Sequence, residues 1–405
     1  MWTAMDWNEK YSDMARRLSS SALAELFQLT ERPDVISFAG GFPSEDMYLI
    51  PEVVEVAREV FHRRGATVLG YGPTPGFSEF REFIAQRQSL LGMKASPDNI
   101  LVTTGSLQGL DLLGRLFLNP GEVVIVEAPT YLGALTTLAA FDVRLEAVPV
   151  DDQGLDVDQL EERLQQLRRR GRPARVLYTI PTFQNPSGLC LSHDRRIRLL
   201  ELASRYDLII FEDNAYGELR FEGEELPTLK ALDEEGRVVH LGTFSKIFSP
   251  GVRLGWLHAD AGVIERAVLI KQGVDQCSSS LSQLLCLEFG RRGLLERQIE
   301  ITRQILRAKA TATLRALAEA FPPTTQWTEP QGGFYTWVTL PPNVDTQEAL
   351  PRCIREARVA YVPGNQFYTD GRGHNQLRLC YSQPSLEEIG DGVRRLGQLL
   401  AALPG

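Results

Sequence analysis

Short unbroken apolar runs alternate with stretches of helical periodicity over the middle of this chain. Residues 100–104, 122–127, 143–148, 175–180, 208–213 and 238–242 read as strands buried on both faces. Helices are predicted from the Gly105-Ser106 turn to about residue 118, over 156–169 and over 194–205. The basic run Arg168-Arg169-Arg170 suits the solvated C-terminal turn of its helix. Ahead of this region lie an amphipathic stretch at 18–30, with Ser19, Ser20 and Ser21 as candidate caps, and an extended piece at 35–43 closing in Gly40-Gly41-Phe42-Pro43. Helices follow at 51–64 and 77–91, separated by a loop over 69–76 that holds three glycines and two prolines. Behind it come helices at 262–272, 281–291 and 294–321, the last stopped by Pro322-Pro323. Strands at 332–338 and 376–381 around a helix at 347–358 make a smaller α+β unit.

Strands separated by helices predict an α/β fold, a doubly wound and mostly parallel sheet. In such sheets ligands bind beyond the carboxyl ends of the strands. Ser106, Tyr131, Asn185, Asp213 and Lys246 all fall just past such ends. Each has a plain structural role open to it. Ser106 and Asp213 would cap helices, Asn185 would form an Asx turn before Pro186, and Tyr131 would be core. Their shared location carries more weight than any one of them.

The strand 238–242 leads into Thr243-Phe244-Ser245-Lys246-Ile247-Phe248-Ser249-Pro250-Gly251-Val252-Arg253-Leu254-Gly255-Trp256. A lysine at the mouth of a buried strand is costly to desolvate unless it is paired or neutral, and a neutral amine is a nucleophile. Ser245 and Arg253 would hold an anion beside it. The alternative is a lysine whose stem is buried and whose ammonium reaches solvent.

Composition narrows the class. With 405 residues, about two domains are expected. The charge of −9, with acids and bases interspersed, argues against nucleic acid and against an anionic membrane. The segment from Met1 to Arg17 is polar and no apolar run reaches membrane-spanning length. Five scattered cysteines without a C-x-x-C read as reduced thiols of a cytoplasmic protein. The five histidines share no ligand spacing, so no metal is expected.

The strand-end side chains answer the chemical groups of pyridoxal 5′-phosphate. Lys246 would bond its aldehyde, Asp213 would keep its pyridine nitrogen protonated, and Asn185 and Tyr216 would hydrogen-bond its phenolic oxygen. Ser106, Ser245 and Arg253 would hold its phosphate, with Tyr131 stacked on the ring. The stretches SFAGGFPSED, YGPTPGFSEFRE, TTGSLQGLDLL, EAPTYLGAL, YTIPTFQNPSG, FEDNAYGELRF, GTFSKIFSPGVRLGW, QGGFYTWVTLP and YVPGNQFY…NQLRLCYS run in order through residues 37–382. In them the chain resembles the fold-type I, class I/II aminotransferases, in the subgroup of 2-aminoadipate and kynurenine aminotransferase II-like enzymes.

The resemblance implies further roles. The Ser106-Leu107-Gln108 turn would bind the phosphate, Leu107 mainly through its backbone N–H. Tyr71 would reach the phosphate of a neighbouring subunit, making a homodimer the active unit. Arg378 would bind the substrate carboxylate, with Gly40 and Asn185 beside it. The 18–30 helix would be a substrate lid, belonging with 1–45; 46–292 would be the cofactor domain and 293–405 the small domain. The lid position expected to carry an arginine in enzymes for acidic donors is Ala24 here, which favours apolar or aromatic donors over 2-aminoadipate. The expected activity is ping-pong transfer of an amino group from an apolar, aromatic or 2-aminoadipate-like L-amino acid to a 2-oxo acid such as 2-oxoglutarate. The competing expectations are a lyase, racemase or decarboxylase on the same cofactor, and the effector domain of a transcription regulator. The last needs a DNA-binding region, and only about forty residues precede the fold.

Overall fold

The computed structural model describes residues 5–17 and 34–402. The predicted lid at 18–30, with Ala24 and its candidate serine caps, lies outside the described residues. An eight-stranded sheet occupies the middle of the chain. After a short strand β1 (Ile36–Ser37) come β2 (Ile100–Thr103), β3 (Val123–Ala128), β4 (Arg144–Asp151), β5 (Gly154–Leu155), β6 (Ala174–Thr179), β7 (Ile209–Asp213), β8 (Val238–Thr243) and β9 (Gly255–His258). The sheet order is β2-β9-β8-β7-β6-β3-β4-β5. Strands β8, β7, β6, β3 and β4 pair in parallel; β9 runs antiparallel to both β8 and β2, and β5 antiparallel to β4.

Each face of the central strands is covered, which is why they read as continuous apolar runs. Alternate residues divide between two cores. Val124, Val126, Tyr178, Phe211 and Leu241 pack with the helix Ser106–Phe117. Val123, Ile125, Leu177 and Ile210 pack with Leu160 and Leu164 of the helix Val157–Arg169 and Leu199 and Leu202 of the helix His193–Tyr206. All six residues of β3 and of β8 are buried. The strand ends that carry Ser106, Tyr131, Asn185, Asp213 and Lys246 open on one side of the sheet.

A second sheet has the order β10-β11-β14-β13, from β10 (Gln326–Trp327), β11 (Tyr335–Thr339), β13 (Val362–Pro363) and β14 (Gln376–Cys380). All its pairings are antiparallel. The two-residue β1 pairs in parallel with β12 (Val359–Ala360), which ties the segment after residue 34 to this part of the molecule. The helix Leu294–Ala320 packs along the helix Leu386–Ala401, with Leu306, Ala310 and Leu317 sharing a core with Ile389, Val393 and Leu396.

Several boundaries differ from the sequence expectation. The helix expected over 51–64 spans Ile50–Leu69, crossing a break at Arg64 where φ is −134°, next to Gly65. The 347–358 helix is Thr346–Arg352 continued by a wider turn over Cys353–Ala357, with Pro351 in its last turn. Strand β9, the helix Leu132–Ala139 and the helix Leu386–Ala401 had no predicted counterpart. The last carried a visible start, because Ser385 and Glu388 form a capping box.

Candidate active site

The site grows out of the end of β8. Thr243 Oγ1 lies 2.9 Å from Ser245 Oγ and accepts the Ser245 N–H at 3.1 Å, so the chain turns sharply out of the strand. Lys246 follows, its Nζ donating to the Gly41 carbonyl at 2.5 Å. Burial depresses the amine to about 8, and the cations Arg378 and Arg253 push in the same direction.

Asp213 ends the neighbouring β7. Its Oδ2 accepts the Tyr178 hydroxyl at 2.7 Å, while its buried Oδ1 has no partner. Burial pushes the carboxyl up, and the Tyr178 hydrogen bond works against that rise. Tyr216 follows Asp213 and meets Tyr335 hydroxyl to hydroxyl at 2.9 Å.

At the end of β2, Gly105 takes φ +82°, a left-handed turn into the helix Ser106–Phe117. A Cβ on Gly105 would lie 2.6 Å from Arg253 Nη2, and a Cβ on Gly255 would lie 2.7 Å from Ser106 N. The Arg253 guanidinium therefore rests on the turn, and β9 passes directly beneath it. This end combines a cation, two serine hydroxyls and the N–H groups of a helix start, which is the donor set of an anion site.

Across the sheet, Arg378 projects from β14. Its guanidinium donates to Asn185 Oδ1 and to the Ala39 carbonyl, each at 2.8 Å. It lies 4.3 Å from the Tyr335 ring centroid, and its buried Nε has no partner. Tyr131 stands at the N-terminal cap position of the helix Leu132–Ala139 without a side-chain cap, and its hydroxyl is pushed up to about 12 by burial.

These groups share one cavity of about 450 Å³. Of the residues singled out from the sequence, its wall holds Gly40, Ser106, Leu107, Tyr131, Asn185 and Asp213. It also holds Tyr216, Ser245, Lys246, Arg253 and Arg378. Gln108 and Tyr71 are not in it. Gln108 turns away, accepting the Thr104 N–H at 2.7 Å and donating to Asp275 at 2.6 Å. Tyr71 is 86% exposed. Sequence reasoning missed four groups that set the site: the Gly41 carbonyl, Tyr335, Tyr178 and Thr243. Gly41 and Tyr335 lie inside motifs already singled out. So do Thr243 and Tyr178, the latter opening YTIPTFQNPSG, but an inward tyrosine in a buried strand reads as core and its role went unassigned. Among the described residues, no group of three or more His, Cys, Asp or Glu could hold a metal ion.

Pyridoxal 5′-phosphate fits this donor set. An unpartnered buried carboxylate oxygen suits a pyridinium N–H, a depressed amine suits an aldehyde, and the Gly105 turn with Arg253 suits a phosphate.

Comparison with known proteins agrees. The family model "Aminotransferase class I and II" matches residues 33–396. The chain is similar to the aromatic-amino-acid aminotransferase 1 of Thermococcus litoralis, with 41% identity over 397 residues, 98% of this chain and 95% of that one. It superposes on a crystal structure of a Pyrococcus horikoshii kynurenine aminotransferase in complex with PMP, with TM-score 0.94, 41% identity and 98% of each chain covered. It also superposes on the α-aminoadipate aminotransferase of Thermus thermophilus complexed with N-(5′-phosphopyridoxyl)-L-leucine, with TM-score 0.90, 36% identity and 98% of each chain covered. The chain belongs to the class I and II aminotransferases and is a transaminase that works with pyridoxal 5′-phosphate.

Proposed function

We propose that this transaminase takes its amino group from an apolar or aromatic L-amino acid and passes it to a 2-oxo acid, with 2-oxoglutarate the expected acceptor. The observation that carries the proposal is the pairing of Lys246 and Arg378 in one cavity whose remaining wall is largely apolar. Phe42, Leu107, Leu132, Ile180 and Tyr335 contribute to it. The aromatic substrates named for a relative 41% identical point the same way.

When bound, pyridoxal 5′-phosphate supplies a carbonyl that takes up the substrate amine and a ring that draws electrons from Cα. Lys246 Nζ holds the aldehyde at rest and removes the Cα proton once freed, a role open to it because burial leaves the amine neutral more readily. Asp213 Oδ1 holds a proton on the pyridine nitrogen. Asn185 and Tyr216 hydrogen-bond the phenolic oxygen, and Tyr131 covers one ring face. Ser106, Leu107, Ser245 and Arg253 hold the phosphate. Arg378 orients the substrate carboxylate, with Asn185 and the backbone near Gly40 beside it.

The working unit in this reading is a homodimer. Tyr71 and Leu69 are 86% and 81% exposed, which leaves both side chains open for a partner subunit to cover. A division into 1–45, 46–292 and 293–405 is supported by the eight-stranded sheet lying within the second segment and the four-stranded sheet within the third, with the cofactor held mainly by the second. Five free thiols support a cytoplasmic setting, and among the described residues no helix is long and apolar enough to cross a membrane.

The test is a half-reaction. Purified enzyme mixed with single amino acids and no acceptor is followed by absorbance. Phenylalanine, tyrosine or leucine should convert the bound cofactor to its amine form faster than glutamate or 2-aminoadipate does. An acidic donor outpacing all apolar ones would overturn the donor assignment. Lys246→Ala retaining full turnover would overturn the catalytic one.

A further inference from the structure

We propose that Asp275, with Lys271 behind it, is a positioning residue that fixes the Thr103–Ser106 turn for the cofactor phosphate; this rests on the reading that the Ser106–Arg253 end of the cavity takes the phosphate. Asp275 follows the helix Ala261–Val274, at its C-terminal cap. An anion is out of place there, because the end of a helix carries partial negative charge. The helix itself gives no reason for the carboxylate, but its three donors do. Asp275 Oδ2 accepts the Gln108 amide at 2.6 Å and the Thr104 hydroxyl at 3.0 Å. Its Oδ1 accepts the Lys271 ammonium at 2.5 Å, and the Lys271 side chain is fully buried. Burial opposes ionisation of the carboxyl, yet Lys271 and Gln108 hold it below the usual carboxylate range.

The chain of contacts runs on into the turn. Gln108 Oε1 accepts the Thr104 backbone N–H at 2.7 Å, so one amide side chain clamps both the strand end and the acid. Thr103 Oγ1 holds the same turn from the inner side, donating to the Gly105 carbonyl at 2.9 Å. Between these two clamps lie Gly105, at φ +82°, and the N–H and hydroxyl of Ser106. Lys271 has a second consequence. It neutralises the carboxylate that would otherwise stand behind a dianionic phosphate and repel it. Gln108 thus serves the phosphate at one remove, from outside the cavity.

The test separates phosphate positioning from general stability by using a cofactor without a phosphate. The full-length enzyme is loaded with pyridoxal 5′-phosphate or with pyridoxal, and release is followed by absorbance. Gln108→Met cuts the link while leaving the Lys271–Asp275 pair intact, so the fold is spared the loss of a buried ion pair. It should release pyridoxal 5′-phosphate faster, on the order of tenfold, and release pyridoxal at the wild-type rate. Equal acceleration of both, or of neither, would overturn the proposal. Ser106→Ala tells the two failures apart. If it discriminates between the two cofactors and Gln108→Met does not, the Asp275 link alone is wrong. If neither variant discriminates, the phosphate lies elsewhere and the link falls with that placement.

Discussion

Tyr178 donates its hydroxyl to Asp213 Oδ2 at 2.7 Å and leaves Oδ1 without a partner in a buried wall of the cavity. The hydrogen bond does two things. It favours the ionised carboxylate against the burial that opposes it, and it fixes which oxygen faces the cofactor. Tyr178→Phe keeps the ring in the core and removes only the donor. The half-reaction should slow by about tenfold to a hundredfold, the range for a hydrogen bond to a charged group. Stopped-flow absorbance with a single amino acid measures it. A wild-type rate would mean that the pyridine nitrogen is not held through Asp213.

Lys246 offers a test in pH. Its amine is depressed from the usual 10.5 to about 8, chiefly by burial. A depressed base loses its proton earlier, so the nucleophilic fraction of the cofactor-free enzyme rises through pH 8 and levels above it. The rate of pyridoxal 5′-phosphate uptake should follow that curve. A rate still rising steeply between pH 9 and 10 would place the amine near its ordinary value. The stability of the cofactor-free chain carries the same sign. The unfolded chain binds the proton more tightly between pH 8 and 10.5, so this lysine's unfavourable contribution shrinks as pH rises through that window.

The contact between Arg378 and Asn185 explains why lysine cannot replace the arginine. The guanidinium carbon lies 4.3 Å from the Tyr335 ring centroid and 5.2 Å from that of Phe367, with Asn185 and the Ala39 carbonyl each holding one nitrogen. A lysine ammonium keeps the charge but loses the planar fork that reaches Asn185 and the Ala39 carbonyl from two separate nitrogens, and the contact of that plane with the rings. Arg378→Lys should raise KM for the amino donor at least tenfold and leave the resting absorbance of the bound cofactor unchanged. An altered resting spectrum with unchanged KM would show that Arg378 serves the cofactor instead.

The parts of this site that could be read from the sequence share a physical cause. Parallel strands buried on both faces give apolar runs, and their polar ends then stand out. Asp213 after Ile209-Ile210-Phe211-Glu212, and Lys246 after the run from Val238, are of this kind. Strand β9 gives no such contrast. It is four residues long, follows the Arg253 turn at once, and its glycine is demanded by the close passage under Ser106. Tyr178 and Thr243 lie within strands and act sideways, on a neighbour's strand end or on their own turn, and no periodicity marks a sideways contact. Gln108 shows the opposite case. Motif position put it at the phosphate, but its amide folds back on Thr104 and Asp275.

Glu127, two residues from Pro129 and four from Tyr131, offers a prediction about stability with a defined sign. Its side chain is buried at the end of β3 and accepts from Thr179 Oγ1 at 2.5 Å, Ile180 N at 3.1 Å and Gln184 Nε2 at 2.9 Å. It thereby ties the β3 end to the loop that carries Asn185. Burial nevertheless wins over these three donors and pushes the carboxyl from 4.5 to about 7. A carboxyl raised in the folded state binds its proton there more tightly than in the unfolded chain. Its contribution to stability is full below pH 4.5 and is lost as pH rises to about 7. Glu127→Gln is close in shape and cannot titrate. The stability of the wild type relative to this variant should therefore fall by at most about 3 kcal/mol between pH 4.5 and 7, and stay level above pH 7. Urea midpoints of both proteins over that range measure it. A difference independent of pH would show that Glu127 ionises at its ordinary value, its three donors offsetting burial.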